Sequence, residues 1–158
     1  ENNIDNEIVI LHGRNKYGIR GTRREQEAYI LLEKKYPNKL ELIIDGNMPL
    51  EKYLNVLNKA NIVIDQTYSH SVGINGLYAL ALGKVVLGGS EPESLNTLGV
   101  DSSPVINIEP NAKSIVDEIE KLLNNKHLIK ETGFQSREFV EKIHNHRKIA
   151  EKFLKAWN

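Results

Sequence analysis

Five short apolar runs rich in β-branched residues recur along the chain, at 8–11, 40–44, 62–64, 85–87 and 105–108. None shows the polar alternation of a strand with one wet face, so each reads as a parallel strand covered on both sides. Parallel neighbours need crossovers, and every gap holds a helical pattern.

Thr22 and Glu25 stand at capping-box spacing and open a helix over 22–36, with Ala28, Leu31, Leu32 and Tyr36 on one face and Pro37 as its stop. Pro49 leads a helix over 50–60 presenting Leu50, Tyr53, Leu54 and Leu57. Residues 74–82 are apolar nearly all round and end at Gly83, the pattern of a buried helix. Ser90 and Glu93 mark a short helix ending near Gly99, and Ala112–Asn124 repeats its apolar residues at helical spacing. From 137 to 157 one long helix is expected, with Phe139, Ile143, Ala150, Phe153, Leu154 and Trp157 in a stripe and His146 beside them as a core or interface residue. Strand–helix alternation of this kind predicts an α/β fold: a Rossmann-like doubly wound parallel sheet of five or six strands with a long C-terminal helix.

Ligands of open parallel sheets bind beyond the carboxyl ends of the strands. After the first run, Arg14, Lys16, Arg20, Arg23 and Arg24 fall in a stretch without an acid that also holds Gly13, Gly18 and Gly21. Cations, permissive backbone and a helix start together suit a phosphate or diphosphate. The glycine spacing matches neither a Walker loop nor a dinucleotide fingerprint. After the third run, residues 65–73 form a polar loop entering a helix, where the amides of Gly73 and Ile74 would again meet an anion. A receiver-domain reading of Asp65 fails, because basic residues stand where that chemistry needs an acidic pair for magnesium.

The 158 residues carry 21 Lys plus Arg against 21 Asp plus Glu, a balance that argues against nucleic-acid binding, and the absence of Cys excludes thiolate chemistry. No run approaches the ~20 residues of a membrane span. The five histidines lack metal-ligand spacing and no Asp-x-Asp occurs, so no metal is expected.

The order Gly13-Arg14, then Arg20-Gly21-Thr22, then 60–66 as Ala-Asn-Ile-Val-Ile-Asp-Gln, then 78–86 as Tyr-Ala-Leu-Ala-Leu-Gly-Lys-Val-Val resembles the C-terminal domain of GT-B-fold group 1 glycosyltransferases. That resemblance implies one donor-binding domain over 1–158, the C-terminal half of a two-domain enzyme whose N-terminal acceptor domain is a partner outside this chain. It implies transfer of a hexosyl group from a nucleotide-diphosphate sugar to a saccharide or lipid-linked acceptor in polysaccharide biosynthesis, without a cofactor, and an isolated domain that is inactive alone. The setting it implies is cytoplasmic, peripheral at the inner membrane face in the full-length protein, with a homodimer contact through the C-terminal helix as a further expectation. By position, Arg14 and Arg20 would grip the diphosphate with Gly13, Gly73 and Ile74, and Asn47 would lie near the base. The family's two glutamates fall at His70, the candidate catalytic residue, and at Tyr78, which meets the ribose with a single hydroxyl where a carboxylate chelates a diol. The alternative is a catalytically degenerate nucleotide-sugar-binding or interaction module.

Overall fold

The computed structural model describes residues 2, 4, 7–13, 22–46 and 48–157. Strands β1 (Ile8–Gly13), β2 (Leu40–Asp45), β3 (Ile62–Ile64), β4 (Val85–Gly88) and β5 (Ile106–Asn107) alternate with helices α1 (Thr22–Lys35), α2 (Leu50–Lys59), α3 (Ile74–Ala81) and α4 (Pro92–Leu98), and α5 (Ala112–Asn124), α6 (Lys126–Ile143) and α7 (His146–Trp157) close the chain. Among the described residues the sheet has five strands in the order β2-β1-β3-β4-β5, all parallel, as in Rossmann-like folds.

Strand side chains alternate between two apolar layers, which is why the runs are apolar throughout. Ile8, Ile10, Ile62, Ile64, Val85 and Leu87 pack under α1 and α5, against Ala28, Leu32, Ile115 and Ile119. Leu11, Val63 and Val86 face Leu57 of α2 and Ala79 and Leu80 of α3. Helix α6 joins the layers, with Ile129 in the first and Phe139 packed on the second. Its passage depends on Gly133, where a Cβ would stand 2.3 Å from the oxygen of Gly83, itself at φ 69° in the turn before β4.

Several local expectations change. Glu25 does not complete a capping box: its side chain turns inward and is fully buried, near the Thr67 hydroxyl. The buried face of α1 is Ala28, Tyr29 and Leu32, whereas Leu31 is exposed. Leu50 is likewise exposed on α2. Helix α3 is half-buried: Gly76, Ala79 and Leu80 pack inward, but Ile74, Tyr78 and Leu82, four residues apart, line an exposed face. Helix α4 starts from Glu91 with Pro92 in its first turn, and Ser90 instead meets Ser103, hydroxyl to hydroxyl at 2.7 Å.

The C-terminal helical tail is present and begins earlier, at Lys126. It breaks at residues 144–145, because the Asn145 side chain accepts hydrogen bonds from the amides of Arg147 and Lys148 and caps a new helix. The stripe therefore spans two helices. Phe139 is packed, while Phe153, Leu154 and Trp157 are 61%, 60% and 83% exposed. His146 is exposed at the start of α7, so it is no core residue.

Candidate functional site

The strand order reverses direction between β1 and β3, and the end of β1 meets the start of α3 there. Gly13 ends β1, buried beneath the first turn of α3. A Cβ on it would stand 3.6 Å from Asn75 Nδ2 and 3.6 Å from the Tyr53 ring of α2. Arg24 of α1 interacts with Tyr68 and Glu27, and both hold its guanidinium above its ordinary pKa. Arg23 and Arg24 each pair with Glu27 at 3.2 Å on the surface. Two of the five cations counted in the basic stretch are thus turned to an acid on their own helix.

Arg14, Arg20 and Asn47 lie outside the described residues. Gly13 is the last residue of β1. The amide of Gly73 is already engaged, donating to Asp65 Oδ2 at 2.5 Å. Ile74 opens α3, whose first amides have no partners within the helix. Its side chain is exposed.

His70 and Tyr78 are both exposed, with seven residues between them along the loop and α3. His70 is held by its backbone, whose oxygen accepts from the amide of Glu91 at 3.1 Å. Its imidazole borders a cavity of about 360 Å³ shared with Val72, Leu77, Glu93 and His144. Burial lowers the pKa of His144, Lys152 adds to the effect, and its ring lies 5.9 Å from that of Phe139. Tyr78 sits between Ile74 and Leu82 on the outer face of α3.

Buried polar groups that the sequence did not place in the site lie below this edge. His12 is fully buried and donates from Nδ1 to the oxygen of Ile64 at 3.0 Å. Burial pushes the Glu25 carboxyl up to about 7, offset only in part by its own amide and the Thr67 hydroxyl. Asn75 Nδ2 is buried without a hydrogen-bond partner among the described residues. An Asn at the second position of a helix that opens on a glycine was the available signal. No group of three or more His, Cys, Asp or Glu among the described residues could hold a metal ion.

No protein-family model matches the chain, and no curated protein matches it. Solved structures do. TarM, known from S. aureus, superposes with a TM-score of 0.74 at 19% identity, over 99% of this chain and 36% of that one. The C-terminal domain of a group 1 glycosyltransferase, LpcC from Francisella tularensis, gives a TM-score of 0.66 at 20% identity over 88% of this chain and 87% of that one. Anabaena HepE, solved in complex with UDP and glucose, gives 0.68 at 12% identity over 95% and 49%. The chain thus has the fold of the C-terminal-like domain of GT-B group 1 glycosyltransferases. It spans about a third of TarM and half of HepE.

Proposed function

We propose that residues 1–158 form the nucleotide-sugar donor domain of a two-domain glycosyltransferase. One observation carries this reading: the end of β1 meets the start of α3 at the switch point, with Gly13 against Asn75. Neighbours of the same fold solved with UDP support it. The diphosphate would sit between the basic stretch holding Arg14 and Arg20 and the main chain at Ile74. Asn47 would border the base, Tyr78 the ribose and His70 the transferred hexosyl group. No metal or cofactor takes part: arginines and amides neutralise the diphosphate. The acceptor is a saccharide or a lipid-linked saccharide, supplied by the second domain, as in polysaccharide biosynthesis. The reaction is cytoplasmic, at the inner membrane face for a lipid-linked acceptor; no helix among the described residues is long and apolar enough to cross a membrane.

Helix α7 buries none of its residues here. Its face of Phe153, Leu154 and Trp157 is the surface on which that second domain packs, and in its absence two copies of the chain would meet there.

Titration calorimetry with UDP, GDP and ADP tests the reading: one of them binds, and binding of none overturns it. A second reading, a binding module that has lost catalysis, is favoured by Tyr78 standing where a carboxylate is expected. Transfer by the two-domain protein that survives His70→Ala and Tyr78→Phe would reject the roles given to both residues, whereas binding without transfer in the parent protein supports the module.

A further inference from the structure

Asp65 is the point at which β3 gives way to the loop that carries His70. We propose that Asp65 is a positioning residue of the nucleotide site, whose carboxylate clamps this loop shut and fixes the start of α3. The inference rests on the reading of the site given above.

Its backbone is part of the sheet edge, with the amide donating to the oxygen of Leu87 at 2.9 Å. Its side chain is 4% exposed. The Oδ2 atom accepts from Gly73 N–H at 2.5 Å, so one bond ties the first residue of the loop to its last. A buried carboxylate is costly unless charged or dipolar donors meet it, and the positive end of α3 is such a donor.

Of the surrounding glycines, Gly76 is explained by the same carboxylate. A Cβ on Gly76 would stand 2.8 Å from Oδ2 and 3.1 Å from Cγ, and one on Gly88 would stand 3.4 Å from the Asp65 Cβ. On Gly73 it would fall 2.1 Å from Gln66 Nε2. None of the three has a positive φ. Gly76 is there for room rather than for backbone freedom. The middle of the loop is tied separately, by main chain through Glu91 N–H to His70 O and the close approach of Gly89 to Ser69 O.

Two consequences follow for the ligand. The helix start already holds a resident anion, so Gly73 does not grip the phosphate. The clamp instead sets where Ile74, Asn75 and His70 stand.

Three variants of the chain test this: Asp65→Asn, Asp65→Glu and Gly76→Ala, read by UDP calorimetry and by the Gly73 amide resonance. Asp65→Asn keeps the shape and loses the charge. It should move the Gly73 amide upfield and weaken UDP binding about ten-fold, with far-UV circular dichroism unchanged. Asp65→Glu should not rescue, since the glycine cradle has no room for another methylene. Gly76→Ala displaces the carboxylate without altering it, should weaken UDP similarly, and carries the test if Asp65→Asn does not fold. Parent-like UDP affinity in Asp65→Asn or Gly76→Ala, or an unmoved Gly73 resonance in Asp65→Asn, overturns the proposal. If the parent chain binds no UDP, the nucleotide reading fails; a Gly73 resonance that still moves in Asp65→Asn then supports the clamp itself.

Discussion

Gly83 and Gly133 meet backbone to backbone: the oxygen of Gly83 lies 2.3 Å from where a Cβ on Gly133 would stand. Helix α6 crosses from one apolar layer to the other at this contact. Alanine normally stabilises a helix interior over glycine by about 1 kcal/mol. Here the obstacle is main chain, which cannot swing aside, and overpacking costs about 1–3 kcal/mol. Gly133→Ala should therefore lower the urea midpoint of unfolding, and a midpoint at or above the parent's would contradict the packing.

Glu25 gives the fold a pH dependence. Its carboxyl is raised from an ordinary 4.5 to about 7 by burial. Between these values the folded state keeps the proton and the unfolded state has released it. Its favourable contribution is thus complete below pH 4.5 and is lost as pH rises to about 7. The whole effect is on the order of 3 kcal/mol. Glu25→Gln should flatten the fall in stability between about pH 5 and about pH 8 and be the more stable protein at the upper end. Urea unfolding at both pH values checks it; parallel slopes would contradict it.

Lys84 is 3% exposed and donates from Nζ to the oxygen of Asn58 at 2.7 Å, near the end of α2. A cation at a helix C-terminus satisfies a carbonyl and complements the dipole. Lys84→Met keeps the length of the side chain and loses the bond, at a cost of about 2 kcal/mol. A thermal midpoint unchanged from the parent would show that the contact contributes nothing.

Arg14→Ala, Arg20→Ala and Asn75→Ala should each weaken UDP binding about ten-fold, the scale of one charged or buried hydrogen bond. Their melting temperatures should stay close to the parent's. Unchanged affinity in all three would remove the diphosphate from the crevice.

Most of the architecture was legible because the code for it is local. Runs such as Ile62–Ile64 and Val85–Leu87 are apolar on both faces only in a sheet with two covers, and Gly83 and Gly99 do end α3 and α4 at positive φ. What escaped depends on partners distant in sequence. Glu25 has the spacing of a cap, but the space under α1 near Thr67 draws it inward. Ile74, Tyr78 and Leu82 look like core until α3 is seen to need only one packed face. The helix break was written in Asn145, a cap residue inside an otherwise continuous stripe. In the site, Asp65 was read from sequence only as the residue ending β3, and its tie to Gly73, like the approach of Asn75 and Tyr53 to Gly13, depends on folding.

The central claim is that a nucleoside diphosphate binds where β1 and β3 diverge. Mapping amide chemical shifts of the chain as UDP is added reads this directly. The account predicts the largest changes at Gly13, Ile74 and Asn75, with β5 and the start of α6 unmoved. Saturable shifts centred on any other edge of the sheet, or none at all, would contradict it.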